Sequence, residues 1–263
     1  MKTRNGFALL ALISLLCIRR VGASDVPASD ARAPVLVELF TSEGCSSCPP
    51  ADALLTKLDG EQPIAGAQVI VLGEHVDYWD HDGWKDAFSS KLFTDRQEGY
   101  ARRFRLNSAY TPQMVVDGAT QLNGSNGPQV AKAIEGARSR AKIPIRVASV
   151  SAENPKTLRI HLDVGALPED FKTRKADVFV AVALNHAESH VSGGENKGRD
   201  IRHVAVAESI TKVGTVEKGK NFDGEVEVKV KSTGDLANLR IIAFAQVADA
   251  GEVIGASLVN AGR

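Results

Sequence analysis

Residues 35–40 (Val-Leu-Val-Glu-Leu-Phe) form an almost unbroken apolar run, and residues 68–73 form a second. Short apolar runs rich in β-branched residues predict buried strands. Between them, Ala51, Leu54, Leu55 and Leu58 recur at helical spacing. Leu92, Phe93, Tyr100 and Phe104 mark a second helix over residues 91–104, after a polar and aromatic loop over 75–90. A turn at 107–111 leads through Pro112 into a short strand over 113–116. Asp117 and Gly118 are a strong hairpin signal, residues 119–122 return, and 127–141 read as a last helix. The order strand, helix, strand, helix, strand, strand, helix predicts a mixed sheet with helices packed on it.

The pattern changes after Pro144. Residues 145–150, 158–164, 178–184, 201–206, 226–230 and 239–247 alternate or run apolar, with turn-rich segments between them and no convincing helix. This predicts an all-β sandwich of about seven strands, immunoglobulin-like in type. A length of 263 residues suits two modest domains or one large one. The expected division is a linker over 24–34, an α/β domain over 35–143 and a β-sandwich domain over 144–263. The first domain is expected to fold alone.

The first 23 residues read differently. Lys2 and Arg4 precede an apolar run from Phe7 to Ile18, and Val21, Gly22 and Ala23 supply a small-residue cleavage site. This predicts a secretory signal peptide over residues 1–23, and so a periplasmic or secreted protein. The run is shorter than the about 20 apolar residues that span a bilayer. Leu15 and Leu16 before Cys17 do not suit a lipidation site. Removing the segment leaves 28 basic residues against 32 acidic, a net charge of −4. With no basic patch, nucleic acid is excluded as a partner.

Three cysteines are encoded. Cys17 leaves with the signal, so Cys45 and Cys48 remain, spaced C-x-x-C at a strand-to-helix junction. A helix N-terminus stabilises a thiolate through its free N–H groups and its dipole. Cys45, at the exposed helix start, would attack a substrate disulfide, and Cys48 would resolve the mixed disulfide. Ser46 and Ser47 are positioned to donate to the sulfur and contact substrate, whereas Glu43 would oppose the thiolate. Two other readings stay open. A fixed disulfide closing so short a loop stabilises by only about 2 kcal/mol, and a metal-binding thiolate pair lacks a second C-x-x-C or H-x₃₋₅-H partner.

Tyr78, Trp79 and Trp84 form either a substrate-facing wall or a cover for the core. His75, Asp77, Asp80, His81 and Asp82 in the same loop are either metal donors or capping groups of a solvated loop, and no metal site is assigned. The glycine-rich residues 193–199 lack the phosphate-loop pattern. They read as a hairpin or a contact between domains.

The strand over 35–40, the C-x-x-C at a helix start and Thr111-Pro112 before the third strand resemble the thioredoxin superfamily. That resemblance implies an α/β thioredoxin-like domain ahead of the sandwich. It implies a cis Pro112 facing the cysteines and a Thr111 backbone that binds substrate peptide. It also implies a buried acid beneath the second cysteine, matched by Glu38. The motifs at 39–52, 75–79, Gly83-Trp84 and 110–113 are similar to an exported bacterial thioredoxin-like family catalogued as domain of unknown function 1223. Gly44 departs from thioredoxin proper, where a tryptophan precedes the first cysteine. The expected activity is thiol–disulfide exchange with partner proteins, needing no cofactor beyond the Cys45–Cys48 disulfide. The alternative is a copper chaperone or a partner-binding protein.

Overall fold

The computed structural model describes residues 32–231 and 234–262. The expected signal peptide and most of the linker lie outside the described residues. Strand β1 (Ala33–Thr41) is followed by helix α1 (Pro49–Glu61), strand β2 (Ala67–His75) and helix α2 (Lys91–Arg103). A hairpin of β3 (Gln113–Val116) and β4 (Thr120–Asn123) leads into α3 (Gly127–Arg138). Then come β5 (Ile145–Asn154), β6 (Thr157–Val164), β7 (Lys175–His190), β8 (Asp200–Glu217) and β9 (Phe222–Lys229). A short 3-10 turn precedes β10 (Leu239–Gln246) and β11 (Val253–Asn260).

The elements expected in the first half form where the pattern places them. β1 pairs in parallel with β2 and antiparallel with β3. Asp117 and Gly118 turn the β3–β4 hairpin with φ of 48° and 60°, the left-handed pair that a two-residue hairpin turn requires. Proline starts α1 at Pro49 and Pro50, where the missing N–H costs nothing.

The expected architecture is corrected. The protein is mostly β, built on one mixed eight-stranded sheet with three α-helices among the described residues. It is not an α/β thioredoxin-like domain followed by an immunoglobulin-like sandwich. The sheet order is β11-β10-β7-β8-β2-β1-β3-β4, and a second sheet holds β5-β6-β9. The reason lies in β7 and β8, which run for 16 and 18 residues, far beyond the segments their apolar patterns mark. This hairpin meets β2 through a parallel pair, Gly73 with Val206. A Cβ on Gly73 would stand 3.3 Å from the Val204 carbonyl oxygen, so a bare backbone suits the junction.

The described residues form one compact unit. Val35, Val37 and Leu39 pack on α1 and α3, while Leu36 on the opposite sheet face joins Ile70, Leu72 and Phe93 in a cluster with Ala181, Ile242, Phe244 and Val253. The three-stranded sheet closes a further core, in which Leu158, Ile160 and Leu162 meet Val178, Val180 and Ile241. Lys142 Nζ donates to Asp117 Oδ2 at 2.6 Å and to the Val253 carbonyl at 2.8 Å, tying α3's exit to β11.

A fragment ending at residue 143 would expose Leu36, Ile70, Leu72 and Phe93 to water. Each fully buried side chain of this size contributes about 1.5–3 kcal/mol. Such a fragment is therefore expected to show no cooperative thermal transition by circular dichroism and to be degraded rapidly by protease. A stable, sharply melting fragment would contradict this.

Candidate functional site

β1 ends at Thr41 and the chain turns through residues 42–48 into α1. The turn is built from backbone hydrogen bonds, Cys45 N to Ser42 O at 3.2 Å and Cys48 N to Cys45 O at 3.1 Å. Cys48 is the N-cap, and its carbonyl accepts from Ala51 N and Asp52 N. Cys45 therefore lies just before the helix, three residues ahead of the cap. The two cysteines are joined by a disulfide with Cα atoms 5.4 Å apart. Both are 0% exposed, so Cys45 is not the open thiol its position suggested. Ser46 and Ser47 are exposed, and Ser47 Oγ lies 3.3 Å from Cys45 Sγ.

The Thr111-Pro112 peptide is cis. A Cβ added at Gly124 would meet both Ala51 and Pro112, so Pro112 borders the first turn of the helix that Cys48 caps. Trp79 links the two loops. Its Nε1 donates to Thr111 Oγ1 at 2.8 Å, and its Cβ would stand 3.2 Å from a Cβ at Gly44. Trp84 Nε1 donates to Glu43 Oε2 at 2.7 Å. Tyr78 is exposed and its hydroxyl reaches Gln97 Oε1 at 3.2 Å. The acids of this loop serve the loop itself: Asp77 accepts from Thr94, and Asp80 from Ser89 and the Asp86 N–H. Among the described residues, no three His, Cys, Asp or Glu side chains are grouped to hold a metal ion.

Glu38 is not brought to the cysteines. Alternation along β1 sends Val37 and Leu39 toward α1 and Glu38 to the α2 face. There Arg96 Nε donates to Glu38 Oε1 and the Tyr100 hydroxyl to Oε2, each at 2.6 Å, and Arg96 also faces Glu74 at 3.6 Å. Burial and the neighbouring Glu38 charge push the Glu74 pKa well up.

A different polar cluster flanks the disulfide. His203, on β8, places Nε2 3.5 Å from Glu43 Oε1 and Nδ1 3.7 Å from Asp52 Oδ1. Thr41 Oγ1 donates to Asp52 Oδ2 at 3.2 Å. His75 Nδ1 lies 2.6 Å from Asp86 Oδ2, which also accepts from Glu43 N. The His75 and His203 rings meet edge to face with centroids 4.7 Å apart. From the glycine-rich tip between β7 and β8, Asn196 Nδ2 donates to the Glu43 and Cys45 carbonyls at 2.8 and 2.9 Å, and Glu195 Oε2 accepts from Ser46 N at 3.0 Å. Residues 193–199 are thus a hairpin tip seated on the disulfide turn. Asn196 and His203 lie about 150 residues beyond the cysteines, where no local motif could mark them.

The family described as "Protein of unknown function (DUF1223)" matches residues 36–246. The chain belongs to the DUF1223 family. A structural-genomics protein of Agrobacterium tumefaciens has a similar structure, with a TM-score of 0.65 and 26% identity over 86% of this chain and 94% of that one. HBP35 of Porphyromonas gingivalis shares the fold, with a TM-score of 0.61 at 14% identity over 88% of this chain and 76% of its own. No curated protein matches the sequence.

The electrostatics of this DUF1223 site follow from burial working against pairing. Burial alone would lower the His203 pKa, but Asp52 and Glu43 outweigh it and raise the value from 6.5 to about 9. Burial would raise the carboxyl pKa of Glu43, yet the facing His203 imidazole and the Trp84 hydrogen bond hold it below the ordinary value. Asp86 is likewise lowered, with His75 outweighing burial. A raised folded-state pKa means His203 stabilises the fold fully below about pH 6.5, and that contribution is lost as pH rises through about 9. Chemical denaturation between pH 6 and 10 is expected to show a fall of up to about 3 kcal/mol across this window, absent in His203→Gln. Glu43 and Asp86 act oppositely, and their contributions are lost as pH falls through the carboxylate range. Replacing Arg96 by Ala would strand buried Glu38 and is expected to cost about 3–5 kcal/mol in urea denaturation. It should leave the thiol reactivity of the folded, reduced protein unchanged, because Glu38 serves the other sheet face.

Proposed function

We propose that this protein is a thiol–disulfide oxidoreductase that exchanges disulfides with partner proteins through Cys45 and Cys48. The observation that carries the reading is the disulfide at a strand-to-helix turn, with the first turn of the helix bordered by the cis Thr111-Pro112 loop. This local arrangement also supports a relation to the thioredoxin superfamily at the level of the site. In the reducing direction, the Cys45 thiolate attacks one sulfur of a substrate disulfide. A Cys45–substrate disulfide forms and the second substrate sulfur leaves as a thiolate. The Cys48 thiolate then attacks Cys45 Sγ, which forms the Cys45–Cys48 disulfide and releases the first substrate sulfur, so the substrate is reduced and the dithiol oxidised. The reverse sequence oxidises a substrate. Ser47 Oγ, within reach of Cys45 Sγ, supports Cys45 as the attacking sulfur. Exposed Ser46, Ser47 and Tyr78 offer the accessible rim, Thr111 the adjacent backbone, and Trp79 and Trp84 hold the loops that frame it. A disulfide persists in an oxidising compartment, which fits a periplasmic or secreted location.

The complete burial of both cysteines favours a second reading, a partner-binding protein whose disulfide is locked. One experiment separates the two. Under the exchange reading, Cys48→Ser accumulates mixed disulfides with other proteins and Cys45→Ser does not. Equal trapping by both variants removes the assignment of Cys45. No trapping by either, together with a wild-type disulfide inert to glutathione buffers, favours the locked disulfide.

A further inference from the structure

His203 is 4% exposed and stands between two carboxylates from opposite sides of the cysteine turn. Glu43 lies two residues before Cys45, and its carbonyl shares the Asn196 amide with the Cys45 carbonyl. Asp52 lies four residues after Cys48, and its N–H donates to the Cys48 carbonyl. His75 presents its ring from the end of β2, with Asp86 behind it. Glu43, Asp52, His75 and Asp86 are the titratable groups that this packing sets around the imidazole. The contacts to Glu43 and Asp52, at 3.5 and 3.7 Å, are longer than hydrogen bonds. Among the described residues, neither ring nitrogen has a hydrogen-bond partner, nor has Glu43 Oε1. The imidazole is therefore held by charge rather than by directed bonds, and its hold responds to any change in the charge of the turn.

We infer that His203 is a positioning residue for the Cys45–Cys48 couple, bridging Glu43 and Asp52 as an imidazolium so that its proton and the redox state of the sulfurs are linked. The inference rests on the exchange reading above. When a thiolate attacks the disulfide, the S–S bond breaks and one cysteine sulfur leaves carrying negative charge, beside a turn already flanked by two carboxylates. The imidazolium offsets that accumulation by acting through Glu43 and Asp52. Loss of its proton leaves the carboxylates uncompensated and makes a third anion costly. Linkage is reciprocal: if reduction raises the proton affinity of His203, protonation of His203 favours the reduced dithiol by the same factor.

Two measurements on the full chain test this. Imidazole titration of His203 by NMR is compared in the oxidised wild type and the dithiothreitol-reduced wild type. The expected result is a pKa higher by about 0.5–1 unit in the reduced state, equivalent to about a three- to tenfold linkage. The second measurement equilibrates wild type and His203→Gln with glutathione buffers. At pH 7 the variant is expected to lie about three- to tenfold further toward the disulfide, and the difference narrows as pH rises through the His203 titration of both redox states. A His203 titration identical in both redox states overturns the inference, and it does so even if His203→Gln fails to fold. So does a glutathione equilibrium unchanged by the substitution. In either case wild type that still exchanges with glutathione leaves the exchange reading standing, whereas wild type inert to glutathione removes both.

Discussion

The parallel pairing of Gly73 with Val206 is the constraint on which the rest of the site depends. It joins the long β7–β8 hairpin to the edge of β2 and makes one sheet from strands of both halves of the chain. It also fixes how far along β8 each residue falls, so that His203 meets Glu43 and Asp52 and the hairpin tip meets the cysteine turn. A slip of one residue would turn each side chain of β8 to the other face. His203 would then point away from α1, and Asn196 would miss the Glu43 and Cys45 carbonyls. The junction carries local strain, since Ala205, beside Val206, has φ of 52°, a left-handed conformation uncommon for a residue with a Cβ.

Two buried charge clusters sit on opposite faces of the same sheet and solve the same problem differently. Near α2, Arg96 is surrounded by Glu38, Glu74, Tyr100 and Gln246, with short directed hydrogen bonds to most of them. That cluster is a rigid brace, and its geometry leaves little room for a change of charge. Near α1, His203 has no such bonds among the described residues and is held at ion-pair distances. The loosely held cluster is the one beside the disulfide, and the tightly bonded one is remote from it.

Local periodicity made much of the first half readable. The buried runs of β1 and β2, the helical spacing after the cysteines and the Asp117-Gly118 turn each depend on residues only a few positions apart. The second half was readable as strands but not as a sheet. Alternation marks which residues are buried, yet it does not say which edge a strand will join, and β7 and β8 extend well into polar segments that carry no such mark. The same limit governed the site. Cys45, Cys48, Thr111 and Pro112 stand out as motifs, whereas the thioredoxin resemblance places Glu38 beneath the cysteines and the strand's side-chain alternation sends it to the other face. His203 and Asn196 become visible only when the hairpin folds back across the sheet.

The seating of Asn196 on the Cys45 carbonyl has a consequence for the order of events during synthesis. The two residues are separated by 151 positions, and a ribosome adding about 5–20 residues per second needs of order 10 seconds to travel that distance. Throughout that interval the nascent chain presents a vicinal dithiol without its cover, open to oxidants and to the cysteines of other chains. The hairpin tip arrives only at the end of that interval, as a seal on a bond that by then is made or mispaired.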